Sequence, residues 1–449
     1  MELLQALDRF LAENVKGVSV DAKAVLAHVI RPPSYDGASS DRRTEESTVL
    51  FKPVPPPGGL PYYLDVGAFQ VALDNALKNV VAGYVAQLRQ SDQILFTNTW
   101  QYAKLPQDGS EQWTADVQMH VASVSKLMTA MAMMVLLRDH NISPDAHIID
   151  FLPDYWTKGP NIEHITFRNL FNHTSGLKGY YLVGFEMMKS AIAHGDDRDH
   201  RGLYNYQNLN YGLCRILLAV INGNINKNAY FGPVPPLPPQ WNDNAWDLVT
   251  INAYEAFLQE KVFKPSGTAV VATLDQFPAF ALAYRGPGDS EPGWDSGNMQ
   301  ESCGCDGWHI SVNDLLNVMG QFRRGNGILT IADAQKMLDN GFGVDPLSGN
   351  SALPAALTTP AGNLYCKPGD WHDPNNQDEQ SLAYFLPEDV ELAVFVNSPV
   401  AGQIGTNNFR CVVTQAYLDS LTNTTTNRSI EGSAENVSLE RACTSKSQI

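Results

Sequence analysis

The sequence predicts an α+β protein. The residues from Val121 to Arg138 are almost all apolar, lack Gly and Pro, and are rich in Ala, Met and Leu, so they indicate a buried helix. Two other stretches are typical of strand pairs joined by a short turn: 83–103, which alternates apolar and polar residues, and 381–397, which turns at Pro387-Glu388-Asp389. Further helices are indicated by apolar residues at helical spacing in 2–14, 21–30, 69–78 and 412–421.

Length and composition indicate a large globular protein. The chain has 449 residues, of which 44% are hydrophobic, enough for an extensive core. Its formal charge of −17 repels phosphate backbones, so nucleic acid is not an expected partner. Lys126 and Thr129 interrupt the most apolar stretch, so we expect no membrane span.

Composition also divides the chain into three expected regions. Residues 1–64 read as a helical extension that ends in the Pro-rich linker 53–59, which can continue neither a helix nor a central strand. Residues 65–421 form the main domain, and the polar residues 422–449 form a tail that we expect to be disordered. The extension could pack on the main domain, dimerise or bind a partner.

Cysteines, histidines and glycosylation signals carry weaker information. The six cysteines are too sparse for a disulfide scaffold and lack zinc spacing, and Cys214, in an apolar run, is expected to be a buried free thiol. Residues 194–200 mix His with carboxylates but match no known metal spacing, so we expect a solvated loop. No signal peptide is visible, yet Asn-x-Ser/Thr triplets at Asn423, Asn427 and Asn436 favour an extracellular protein, with a cytoplasmic one as the alternative.

Ser123 and Lys126 stand one turn apart at the start of the apolar helix. A serine hydroxyl needs a neighbouring base, and a lysine can be that base where burial or nearby positive charge lowers its pKa. The helix N-terminus also offers backbone N–H groups near Ser123, where an oxyanion would form. The same spacing fits an N-cap serine and a lysine whose stem lies along apolar surface, so the pair needs its context.

That context resembles a known family. The segment 121–130, Val-Ala-Ser-Val-Ser-Lys-Leu-Met-Thr-Ala, resembles the nucleophile helix of the serine β-lactamase and penicillin-binding-protein superfamily, with its Ser-x-x-Lys signature. Residues 170–177 resemble the family's Leu-x-x-His-Thr-Ser-Gly-Leu segment, in which we assign His173 and Thr174 a turn-forming role.

Tyr206 and Asn208, followed by Tyr-Gly-Leu and a helix, resemble the family's Tyr-x-Asn motif. A phenol beside a lysine could act as base or proton shuttle, and an amide could hold the lysine and a substrate carbonyl. The resemblance spans roughly 65–421. It implies an antiparallel sheet flanked by helices, a helical lobe inserted at about 142–300, and a site between the lobes.

The family's third motif, Lys-Thr-Gly or His-x-Gly on the strand that lines the site, has two candidate registers. Counting back from Pro387 places it at His372, with Trp371 before it and Asn375 as the donor of a second oxyanion N–H. The competing register is Lys-Pro-Gly at 367–369. Either register contains a proline, which cannot donate to a strand ladder. A partly charged His372 would also bind a β-lactam carboxylate poorly.

These motifs predict a serine hydrolase that works through an acyl-enzyme, with a carboxylesterase as the first choice. Ser123 would attack an ester or amide carbonyl, while Lys126 and Tyr206 move its proton. Substrate-binding roles fall to Asn208, Trp371, His372 and Asn375. The alternatives are a β-lactamase or D-amino-acid peptidase, an acyltransferase, and a non-catalytic scaffolding protein with a decayed site. We expect a small-molecule substrate and neither cofactor nor metal, and we leave the oligomeric state open.

Overall fold

The computed structural model describes residues 2–28, 30, 62–178, 184–230, 240–268, 270, 279–325, 327–347 and 356–423. Two stretches singled out in the sequence lie outside these residues. They are the Pro-rich linker 53–59 and the tail from residue 424.

Helices and strands occur in similar numbers. The helices are α1 (Glu2–Asn14), α2 (Ala22–Ala27), α3 (Val66–Leu77), α4 (Ser125–Asp139), α5 (Phe167–Phe171), α6 (Phe185–His194), α7 (Asn208–Ile221), α8 (Gln240–Leu258), α9 (Val312–Arg323), α10 (Ile331–Asp339) and α11 (Thr406–Asp419). The strands are β1 (Tyr62–Leu64), β2 (Gly83–Gln90), β3 (Gln93–Lys104), β4 (Glu111–Gln112), β5 (Met119–His120), β6 (His309–Ile310), β7 (Leu357–Thr359), β8 (Gly362–His372), β9 (Asp378–Leu386), β10 (Val390–Val396) and β11 (Leu421–Asn423).

The centre of the molecule is an antiparallel sheet of seven strands in the order β4-β3-β2-β10-β9-β8-β7. Both predicted hairpins are present, β2 with β3 and β9 with β10, and β10 pairs with β2 to join them. The two other sheets are the short pairs β1-β11 and β5-β6. The α+β class and the antiparallel sheet flanked by helices, expected from the sequence, are confirmed.

The two faces of the sheet enter two different cores. Alternate residues of a strand point to opposite faces, so Leu382 and Tyr384 pack with α3 and α11, whereas Ala383 and Phe385 share the larger core with α4 and α9. Helix α4 lies inside that larger core, and its side chains from Ser125 to Met133 are all buried. The sheet edge at β8 and the start of α4 therefore meet in the interior.

The helices α5 to α8 lie between α4 and β6 in the chain, and the N-terminal extension packs on them. Leu7 and Val25 are buried in the same core as α8. His28 Nε2 lies 2.9 Å from Asp247 Oδ2, and the Asn224 amide donates to the Lys16 carbonyl at 2.9 Å. Of the possibilities left open for the extension, the described part packs on the main domain.

Two sequence expectations concern membranes and thiols. Among the described helices, none combines the length and the hydropathy needed to cross a bilayer. Cys214 is a buried free thiol, as predicted, and Cys303, Cys305 and Cys366 are too. Cys411 is disulfide-bonded.

Candidate active site

Ser123 lies in a short 3-10 turn, Ala122–Val124, that leads directly into α4. Ala122 adopts a left-handed backbone conformation with φ of 44°, which is costly for a residue with a Cβ atom. Ser123 is only 8% exposed, at the bottom of the interface between the helices and the sheet. The strained turn presents the hydroxyl towards the groups described next.

Lys126 is fully buried one turn after Ser123. Its Nζ atom donates to Ser123 Oγ at 2.7 Å and to the Cys305 carbonyl oxygen at 2.9 Å. Burying an amine in an apolar core is costly unless its hydrogen-bonding capacity is used, and these two acceptors use most of it. The amine is thereby fixed beside the hydroxyl.

Tyr206 contacts the same hydroxyl, because its phenol donates to Ser123 Oγ at 2.7 Å. Two amines flank its ring: Lys126 Nζ lies 5.0 Å and Lys367 Nζ 4.8 Å from the ring centroid. Positive charge at these distances stabilises negative charge on the phenol oxygen. Asn208, two residues on, begins α7 and is buried.

His173 holds the segment that carries Tyr206. The His173 and Tyr206 rings lie 4.3 Å apart between centroids, and His173 Nδ1 accepts from the Gln207 N–H at 3.2 Å. Thr174 donates to the Asn172 side chain at 2.6 Å. We interpret both residues as structural supports of the turn.

A family model described as Beta-lactamase matches residues 72–225, a stretch that contains Ser123, Lys126, Tyr206 and Asn208. This match shows that residues 72–225 are similar to the serine β-lactamase-like superfamily. Members of this superfamily include hydrolases of several specificities, and the match does not choose among them.

Individual members of the superfamily are distant from this chain. PbpX of Bacillus subtilis (strain 168), named as a penicillin-binding protein, is 22% identical over 174 residues, which are 37% of this chain and only 36% of PbpX. The class C β-lactamase from Rhodobacter sphaeroides has a TM-score of 0.55 at 15% identity, covering 78% of this chain and 98% of the other. EstCE1, a hydrolase with promiscuous acyltransferase activity, has a TM-score of 0.51 at 16% identity, covering 78% and 97%. At these identities the solved structures show the fold alone.

The strand β8 brings Gly369 against the 3-10 turn Ala122–Val124, which we call the nucleophile turn after the role proposed below for Ser123. A Cβ atom at Gly369 would lie 3.0 Å from the Ser123 backbone nitrogen and would collide with the Val121 carbonyl oxygen. Only glycine permits this approach. Of the two registers considered for the superfamily's third motif, Lys367-Pro368-Gly369 is therefore the one that the structure places beside Ser123.

Lys367 and Asp345 form a buried ion pair at the same end of the site. Lys367 Nζ lies 2.7 Å from Asp345 Oδ1, and both side chains are almost completely buried. The Asp345 backbone is anchored too, because its N–H donates to the Cys366 carbonyl at 2.9 Å. This aspartate partner was missed in the sequence, because 22 residues separate it from Lys367.

The residues of the other register lie further along the strand. Trp371 packs on Ala122 and Met299, close to the nucleophile turn. His372 points to the opposite face of the sheet, with its Nδ1 atom 3.6 Å from Asp370 Oδ2. Asn375 is exposed in the β8–β9 turn, and its N–H donates to Asp373 Oδ1 at 2.9 Å rather than towards Ser123. The structure thus brings Trp371 to the site but does not bring His372 or Asn375 to Ser123.

A buried His–Glu pair supports the floor of the site. His120 Nδ1 lies 2.7 Å from Glu379 Oε1, and the His120 ring meets Trp371 edge to face at 5.8 Å. Burial alone would lower the pKa of His120, but the Glu379 carboxylate raises it above its usual value. Burial also raises the pKa of Glu379, against the opposing effect of His120. Neither residue had a sequence signal, because their contact joins positions 259 residues apart.

Proposed function

We propose that the protein is a serine hydrolase that forms an acyl-enzyme on neutral ester substrates, that is, a carboxylesterase. The observation that carries this proposal is the convergence of Lys126 Nζ and Tyr206 Oη on Ser123 Oγ, each at 2.7 Å. Nucleophile and base within hydrogen-bonding distance are what covalent catalysis requires. An N-cap serine with a surface-lying lysine would not bury the amine against the hydroxyl.

In the proposed reaction, Ser123 Oγ attacks the ester carbonyl carbon and its proton passes to Lys126 or Tyr206. The tetrahedral intermediate collapses, the C–O bond to the alcohol breaks, and the same pair returns the proton to the departing oxygen. Water then attacks the acyl-Ser123 ester and releases the acid. Lys126 and Tyr206 share one oxygen as their target, so either could accept the proton while the other orients the hydroxyl.

The developing oxyanion needs backbone donors. We assign this role to the N–H of Ser123, at the head of α4, and to the N–H of Asp370, the residue after the Lys-Pro-Gly register. The close approach of Gly369 to the Ser123 nitrogen supports this assignment, because it sets the β8 edge next to the nucleophile.

The Lys367–Asp345 pair favours a neutral ester over a β-lactam. In the superfamily the lysine of the third motif usually meets the substrate carboxylate. Here a buried carboxylate already lies 2.7 Å from Lys367 Nζ, so an anionic substrate would have to compete with Asp345. An uncharged acyl group avoids this competition.

The test combines a fluorophosphonate probe with p-nitrophenyl acetate and nitrocefin turnover. We expect wild-type protein to be labelled and to hydrolyse the acetate, Ser123→Ala to lose both activities, and the exposed-serine control Ser143→Ala to keep both. A well-folded wild-type protein that takes no label would favour the scaffolding alternative. Nitrocefin turnover faster than acetate turnover would favour a β-lactamase.

A further inference from the structure

Three side chains with metal-ligand chemistry meet on the face of the sheet opposite to Ser123. Asp370 and His372 alternate with Gly369 and Trp371 along β8, so they point away from the nucleophile turn. His372 pairs directly with Asp378 of β9, and directly opposed residues share a face. Ligand atoms of Asp370, His372 and Asp378 all lie within 4.8 Å of one another.

Four polar atoms of this cluster are buried without a hydrogen bond from the described residues. Asp378 is fully buried, and His372 is 8% exposed. Both carboxylate oxygens of Asp370, Oδ1 of Asp378 and Nδ1 of His372 have no hydrogen-bond partner among the described residues. Buried polar atoms are nearly always paired, because leaving each one unpaired costs free energy. Four such atoms facing one another indicate a missing ligand.

The charges identify the kind of ligand. Two aspartates face each other, and the only positive charge that the three side chains can supply is that of His372. Two buried carboxylates whose oxygen atoms lie within 4.8 Å of each other repel one another when both are ionised. A cation between the carboxylates would relieve this repulsion and would use the orphaned oxygens and nitrogen together.

We propose that Asp370, His372 and Asp378 bind a divalent first-row transition-metal ion, Zn²⁺ or Mn²⁺, on the reverse face of β8. One imidazole nitrogen with carboxylate oxygens suits these ions better than Ca²⁺ or Mg²⁺, which prefer oxygen alone. Ligands at about 2.0–2.2 Å from one ion lie at most about 4.4 Å apart, so the side chains need only a small inward rotation. Water would complete the coordination.

One of the proposed ligands, Asp378, already has a hydrogen-bond partner that fixes its carboxylate. Gln380 Nε2 donates to Asp378 Oδ2 at 2.7 Å and lies 3.2 Å from the carbonyl oxygens of Gln403 and Gly405. This amide orients the carboxylate, as outer partners of metal ligands commonly do. The ion would tie the end of β8 to β9, one residue beyond the contact between Gly369 and Ser123. The proposal does not depend on the reaction proposed above.

The test is direct metal binding to the full chain after treatment with EDTA and removal of the chelator. Calorimetric titration with ZnCl₂ and with MnCl₂ should give one high-affinity ion per chain for at least one of them, and a saturating ion should raise the melting temperature by a few degrees. Asp378→Asn and His372→Ala should each weaken binding at least tenfold. Asp373→Asn is the matched control: this buried aspartate adjoins His372 but accepts hydrogen bonds within its own turn, so binding should be unchanged.

Two variants keep the test decisive. Asparagine at 378 can still accept from Gln380 and removes one of two facing charges, so metal-free Asp378→Asn should melt at or above the wild type. If Asp378→Asn does not fold, the metal affinity of His372→Ala decides the test. Equal binding by the wild type and all variants would place the ion elsewhere and overturn the proposal. The proposal would also be overturned if neither Zn²⁺ nor Mn²⁺ binds, or if CaCl₂ raises the melting temperature more than they do. If no ion binds, the two carboxyls share a proton instead.

Discussion

The Nζ atom of Lys126 lies 2.7 Å from the Oγ atom of Ser123, one helical turn away. Tyr206 donates to the same oxygen, so two donors converge on the hydroxyl that would attack. One of them must be deprotonated before it can accept the Ser123 proton. The proposed reaction therefore requires Lys126 and Tyr206 to act as a unit, which experiment can test.

Lys126→Met and Tyr206→Phe should each lower kcat for p-nitrophenyl acetate by about 10²–10⁴-fold, since each removes one partner in proton transfer. KM should change little, because neither side chain is proposed to bind the acyl group. The double variant should be nearly as active as the poorer single variant, because groups that act as a unit are not additive. Steady-state kinetics on folded protein gives these values. Additive losses would show that the two residues act independently.

Gly369→Ala should lower kcat at least about tenfold and destabilise the fold by about 1–3 kcal/mol, because the new methyl group overpacks the contact with the nucleophile turn. Turnover and urea unfolding measure the two effects. Gly67→Ala is the control: its Cβ atom would meet only the Asp65 side chain, at 3.5 Å, in the first turn of α3, so stability should stay equal or rise. Full activity in Gly369→Ala would contradict the proposed position of the β8 edge.

Asp345→Asn should destabilise the protein by about 3–5 kcal/mol, because it leaves the buried Lys367 ammonium without its carboxylate. The double variant Asp345→Asn/Lys367→Met removes both charges and should recover part of that loss. Chemical unfolding of the two single variants and the double variant gives the coupling free energy. Coupling near zero would mean that the pair contributes nothing to the fold.

The free energy of unfolding should fall as the pH rises from about 4.5 to about 7, because Glu391 loses its proton in this range. Burial raises the pKa of this carboxyl from 4.5 to about 7, although Arg323 and Arg324 oppose the shift. The folded state then holds a proton that the unfolded state has released, so the stability present below the unfolded pKa is lost as the pH rises through the folded one. Glu391→Gln should remove this slope from unfolding free energies measured between pH 5 and pH 8.

The exposed Glu388, on the same β9–β10 hairpin, provides the comparison. Glu388→Gln should leave the slope between pH 5 and pH 8 as in the wild type. Identical slopes in the wild type and Glu391→Gln would show that Glu391 is not the group responsible.

Local patterns were sufficient for the helix that carries Lys126, for the two hairpins and for the contact between Ser123 and Lys126. The long apolar stretch around Lys126 favours a helix, and the hairpins around residues 91 and 388 contain residues that favour turns. Ser123 and Lys126 meet because three residues are one helical turn, a distance that sequence spacing sets directly. The position of the third motif was harder to predict, because the same strand sequence is compatible with more than one pairing register. The register depends on which residue can approach Val121 and Ser123 closely.

The sequence by itself determined the proximity of Ser123 and Lys126 and the kind of fold, because these depend on neighbours three or four residues apart. Only the tertiary structure decided that Lys367 faces Asp345, that His120 faces Glu379, and that Asp370, His372 and Asp378 share a face. The Lys367–Asp345 and His120–Glu379 contacts join residues that strand pairing and helix packing bring together from different parts of the chain. No short-range sequence pattern predicts these contacts, because they form only when the whole hydrophobic core packs.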